Sequence, residues 1–139
     1  MRISTTTRYS VMAMIDIAVN SKGEPVSVST ISERQGIPVD YLEQLFLKLR
    51  KAGLVKSIKG FNGGFLLKRP AKDISVADVI KAAEGHVAPI YKTKTRGKTK
   101  PAKDKTITKR AERLWIDFGQ QVEKYFSGYS LEKLAKEAK

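Results

Sequence analysis

Apolar positions recur along this chain in more than one rhythm, and the changes of rhythm mark its elements. From residue 8 to 20 the pattern is nearly continuous: Val11, Met12, Ala13, Met14, Ile15, Ile17, Ala18 and Val19 are broken only by Asp16. A helix that is apolar all round is buried on more than one side, so this one is expected to pack between two parts of the fold. Thr5 to Thr7 are suited to cap it, and Arg2 and Arg8 stand near its start. After a loop from Asn20 to Pro25 the period lengthens. Val28 and Ile31 give a short helix one buried side, with Glu33, Arg34 and Gln35 facing out. Ser27 can cap it with its hydroxyl, and Gly36 ends it where a left-handed residue costs least. Ile37 then fills the angle before a second, longer helix over 39–52. Pro38 suits its entry, and Asp40 places negative charge in its first turn. Leu42, Leu45, Phe46 and Leu49, spaced three and four apart, form the core face. Asp40, Glu43, Gln44, Leu47, Lys48 and Lys51 lie opposite.

Beyond Gly53 the pattern turns to β. Leu54 to Lys59 has the composition of a strand, Gly60-Phe61-Asn62-Gly63-Gly64 makes a hairpin tip, and Phe65 to Lys68 returns. Helix, turn, helix and hairpin make a winged helix-turn-helix, with its wing at 55–68. Ser75 to Ala83, with Val76, Val79, Ile80 and Ala83 on one side, reads as a supporting helix stopped at Glu84-Gly85. From Ile107 onward Ala111, Leu114, Trp115, Phe118, Val122, Tyr125 and Phe126 recur at steps near three and four, giving a long helix with an aromatic stripe. Gly128 ends it, and a last short helix starts at Ser130. The expected fold is mainly α with a small β-hairpin: a winged helix-turn-helix domain over 1–85, a basic flexible loop over 86–106, and a long C-terminal dimerisation helix with a short terminal helix over 107–139.

Charge decides what the hairpin is for. Between Gln44 and Lys72 there are eight Lys or Arg and no Asp or Glu. A basic hairpin beside a helix with polar tips is a phosphate-contacting surface. Glu43 and Gln44 near the start of that helix have the donors and acceptors that base edges require. Lys48 and Lys51 on the same face, and Asn62 in the tip, join them as candidate DNA contacts. Leu47 there is read as an exposed leucine rather than a thymine contact. The 139-residue chain carries a formal net charge of +13 and 41% hydrophobic residues, enough for one packed core and pointing to a polyanionic partner, double-stranded DNA before membrane. No apolar run approaches a membrane span and the N-terminus lacks a secretory stretch, so a cytoplasmic protein is expected. Residues 92–110 hold nine Lys or Arg with Asp104 as the sole acid. This composition suits a mobile segment, read equally as a basic arm along the DNA backbone or as a solvated linker.

Catalysis finds little support. There is no cysteine, one histidine (His86, read as a surface residue) and no paired carboxylates, and the Gly60–Gly64 cluster does not precede a helix as a phosphate-cradling loop would. No metal site, cofactor or catalytic residue is expected. The stripe on the long helix admits two readings, packing on its own domain or on a second copy. The homodimer is favoured, because two symmetric reading units present two recognition helices to one palindromic site. Its interface is expected at Leu114, Trp115, Phe118, Val122 and Tyr125.

The segments MRISTTTRYSVMAMIDIA, ISERQGIPVDYLEQLFLKLRKAGLVKSIKG and GFNGGFLL, with the closing LW…LEKLA, resemble the winged-helix regulator family of IscR, NsrR and CymR. The resemblance implies a dimeric transcriptional regulator, a repressor in the first instance, whose second helix enters the major groove while the wing reaches the minor groove. Carried over position by position, it implies that Asp40, Glu43 and Gln44 face bases. Tyr41 and Arg50 would meet phosphates, and Lys59 with Gly60 the wing's groove. Cluster-binding members carry three cysteines where this chain has its lysine-rich segment, so an iron–sulfur sensor is not expected. The chain is closer here to cluster-free, CymR-like members, which allows a metabolic enzyme or a small-molecule effector as a further partner. The competing expectation keeps the fold and makes it a protein-interaction module docking an acidic or enzyme partner.

Overall fold

The computed structural model of the chain describes residues 2–87 and 100–138. At its centre lies α1 (Thr5–Asn20), which packs against every other helix of the reading unit and against the last helix of the chain. It begins one turn earlier than its apolar run. Ser4, not Thr5–Thr7, is the cap, its hydroxyl accepting from the Thr7 amide at 3.0 Å. The three threonines are drawn into the helix instead, because the cap must lie outside the first residue with helical backbone.

The short helix α2 (Val28–Gln35) is capped by Ser27, which accepts from the Thr30 amide at 3.1 Å. It ends on Gly36 at φ +69°, a left-handed backbone where a side chain would be strained. Ile37, fully buried, fills the turn, and α3 (Val39–Lys51) buries Leu42, Leu45, Phe46 and Leu49. The hairpin follows with β1 (Val55–Ile58) antiparallel to β2 (Gly64–Leu67), Val55 opposite Leu67 and Ile58 opposite Gly64. A 3-10 turn at Ala71–Asp73 leads into α4 (Val76–Glu84), whose capping box joins the Ser75 hydroxyl to the Asp78 amide and the Asp78 carboxylate to the Ser75 amide. Ala13, Met14, Ile17, Ile31, Ile37, Leu42, Phe46, Leu49, Ile74, Val79 and Leu131 make one continuous core.

The long helix α5 spans Thr106–Ser127 and buries no residue fully. Asp104 accepts from the Thr106 amide at 2.9 Å just before it. Of the lysine-rich segment over 92–110 expected to be mobile, 92–99 lies outside the described residues, while 106–110 form the first turns of α5, whose apolar stripe carries them into the helix. α6 (Leu131–Glu137) returns to the body: Leu131 is buried in the core, its amide donates to the Ile74 carbonyl at 2.9 Å, and the Val76 amide donates to the Tyr129 carbonyl at 2.8 Å. The end of the chain is thereby fastened to the start of α4. No helix among the described residues is long and apolar enough to cross a membrane.

The outward side of α2 does more than face solvent. Arg34 is exposed and Gln35 half-buried, yet both turn to Asp16, the lone acid of α1, which is 2% exposed. Arg34 donates from Nε at 3.0 Å and from Nη2 at 2.7 Å to the two Asp16 oxygens, and Gln35 Nε2 donates at 2.8 Å. A buried carboxylate needs partners for its charge and lone pairs, and α2 supplies them across the helix pair.

Candidate nucleic-acid interface

Because Leu42, Leu45, Phe46 and Leu49 pull one side of α3 into the core, the residues between them are turned to solvent. Asp40, Glu43, Gln44, Lys48, Arg50 and Lys51 are all exposed, and Leu47 is 45% exposed among them. No side chain caps the start of α3, where Pro38 stands, so its first-turn amides point outward with their dipole. Two of the candidate contacts are partly committed elsewhere. Tyr41 is half-buried, with its hydroxyl 2.6 Å from Thr6 Oγ1 and its ring edge-on to Tyr9. Lys48 Nζ reaches the Ala83 carbonyl at 3.4 Å, at the C-terminal end of α4, where a cation is favoured.

The wing is tied to α3 from inside. Phe65 of β2 stacks on Phe46 of α3 with ring centroids 4.4 Å apart and 19° between planes. On its other edge β2 exchanges two backbone hydrogen bonds with Val26, from the Val26 amide to the Phe65 carbonyl at 3.0 Å and from the Phe65 amide to the Val26 carbonyl at 2.8 Å. That approach requires glycine: a Cβ on Gly64 would lie 2.3 Å from the Val26 carbonyl oxygen, and one on Gly63 would lie 2.3 Å from that of Ile58. The tip closes by a hydrogen bond from the Gly63 amide to the Gly60 carbonyl at 3.0 Å. Lys56, Ser57, Lys59, Gly60, Phe61 and Asn62 are exposed.

Three features carrying this surface were not recognised in the sequence. The Asp16–Arg34–Gln35 network fixes α2, and with it the angle of the helix-turn-helix, on α1. Its signal was the lone acid in an apolar helix. Burial alone would raise the Asp16 pKa, but hydrogen bonds from Arg34 and Gln35 and the Arg34 charge outweigh it and hold the carboxyl below its ordinary value. Glu84, at the end of α4, accepts from the hydroxyls of Ser4 and Thr7 at the start of α1. Those bonds, Ser4's foremost, with the nearby His86 and Lys48, hold its carboxyl below the usual range against the opposing effect of burial. The third is Phe61, which the fold leaves fully exposed.

The stripe on α5 stays largely open in the single chain. Leu114, Trp115 and Tyr125 are exposed, as are Ile107 and Ile116, while Phe118, Val122 and Phe126 are half-buried against the body. Among the described residues no group of three His, Asp or Glu is placed to hold a metal ion.

The family model for Rrf2, an iron-dependent transcriptional regulator, matches residues 3–137. The chain belongs to the Rrf2 family. The HTH-type transcriptional regulator IscR of Xenorhabdus nematophila is 43% identical over 137 residues, 98% of this chain and 80% of that protein. Among solved structures, CymR of B. subtilis, called the global cysteine regulator of that organism, superposes with a TM-score of 0.77 at 34% identity over 98% of this chain and 97% of that one. T. potens IscR gives 0.77 at 36% identity over 100% and 89%. This Rrf2 member is accordingly a winged-helix, DNA-binding transcriptional regulator and not an enzyme, and the interaction-module reading is not favoured. The iron that the family description implies cannot be held here as a thiolate-ligated cluster. Thiolate ligation of a cluster needs cysteine, and the sequence has none.

Proposed function

We propose that this Rrf2 regulator is a cytoplasmic homodimer that represses transcription by occupying a palindromic operator, with α3 in the major groove and the wing in the minor groove. The observation that carries the reading is the outward row on α3 set beside a basic wing by the Phe46–Phe65 stack. In this reading Asp40, Glu43 and Gln44 meet base edges. Arg50, Lys51 and Tyr41 meet phosphates, and Lys59, Gly60 and Asn62 meet the minor groove. Lys48 divides its reach between phosphate and the end of α4. The open stripe through Leu114, Trp115 and Tyr125 supports pairing of two chains through α5, with Phe118 and Val122 at its inner edge. Two reading units related by a twofold axis then match two half-sites.

Selection of bound sequences from random duplex DNA with the purified protein tests it, and a palindrome is the expected product. On that site Gln44→Ala loses about 1–3 kcal/mol and relaxes preference at one base pair of each half. Lys56→Ala weakens all sequences alike and lowers the salt slope by about one per subunit. A Gln44→Ala protein that kept its full preference would refute the assignment of the recognition face.

A further inference from the structure

Phe61 buries nothing in the fold. The residue is 104% exposed, more than in an isolated reference residue, and it stands in the tip of the wing between Gly60 and Asn62. The tip's shape is fixed without it, by the close approaches of Gly63 and Gly64 and by the hydrogen bond from Gly63 to Gly60. Turn positions of this kind favour Gly, Asn, Asp, Ser or Pro, each for a backbone reason. Phenylalanine offers none of these, and its ring loses favourable burial for as long as the protein is free. Lys59 precedes it by two residues and Lys56 by five, with no acid anywhere in the hairpin. The ring is therefore carried toward a polyanion by its own neighbours.

From this, resting on the DNA reading above, we infer that Phe61 is a wedge: its ring enters the minor groove at the wing contact and partly unstacks one base step. Apolar side chains carried by minor-groove elements act this way, prising a step open and kinking the duplex toward the major groove. Pyrimidine–purine steps unstack most easily, so the wedge selects such a step at a position where no hydrogen bond reads a base. It adds specificity without adding charge. Phe61 thus differs in kind from Lys59, whose contribution is electrostatic and falls with salt.

The experiment uses the full-length protein and the duplex it selects, with 2-aminopurine placed in turn at the adenines under the wing. Binding of the unaltered protein raises 2-aminopurine emission at one step. Phe61→Ala binds about 10- to 100-fold more weakly, gives no rise, and keeps the salt slope unchanged, since no phosphate contact is lost. Phe61→Leu retains most of the affinity and the rise. Lys59→Ala retains the rise and lowers the slope. Because Phe61 is fully exposed in the fold, Phe61→Ala melts with the parent protein. A Phe61→Ala protein that binds as tightly and gives the same rise overturns the wedge while leaving the DNA reading intact. If the unaltered protein selects no sequence at all, the reading surface itself is refuted, and the wedge with it.

Discussion

The carboxylate of Asp16 offers the sharpest test of how the reading unit is held. Its side chain is fully buried and receives three hydrogen bonds, two from Arg34 at 3.0 and 2.7 Å and one from Gln35 at 2.8 Å. In Asp16→Asn the shape is kept, but one acceptor becomes an amide donor facing donors. At least one bond is lost and one buried polar group is left without a partner. Hydrogen bonds to charged groups contribute about 1.5–3 kcal/mol, and an orphaned buried group costs about 1–3 kcal/mol. The Arg34 side chain is 36% exposed and recovers water, which discounts the total. A net loss of about 2–3 kcal/mol follows at pH 7, or about 6–10 °C in Tm for a chain of this size. The assay is thermal unfolding at fixed protein concentration, because the proposed pairing of two chains would make Tm depend on it. The pH dependence carries a sign. The folded carboxyl titrates below its unfolded value of about 3.9, so its contribution is complete above that pH and is lost as pH falls through the folded pKa. The gap between Asp16→Asn and the parent protein therefore narrows in acid. A variant that melts within a degree of the parent at pH 7, or a gap that stays constant into acid, would refute the reasoning.

Two other perturbations probe separate parts of the fold. Gly64→Ala places a Cβ 2.3 Å from the Val26 carbonyl oxygen on backbone at φ +156°. A loss of about 2–4 kcal/mol is expected, and hydrogen exchange should show the Phe65 amide losing protection before the helices do. Trp115→Glu puts charge in the centre of the α5 stripe, where the residue is 55% exposed in the single chain. The subunit should keep its helical circular dichroism, sediment as a monomer, and bind the palindrome about tenfold or more weakly, through loss of the second half-site. A variant that remains dimeric would remove α5 from the interface.

The spacing of Leu42, Leu45, Phe46 and Leu49 fixed which side of α3 is outward, and the caps at Ser27 and Ser75 with the stop at Gly36 were set by residues adjacent in the chain. Helix faces, capping and tight turns depend on neighbours within about four positions, so local sequence suffices for them. The same holds for the charge of the wing and the absence of thiolate ligands. What pairs with Asp16, what Glu84 holds, and that α6 closes onto Ile74 were decided by the tertiary structure, since each joins residues far apart in the chain. Arg34 reads as a surface cation from its helix alone, and only the crossing of α1 over α2 makes it the partner of a buried charge. Phe61 is the converse case: the alternation of the hairpin gave no warning, and the packing of everything around it left it alone at the tip.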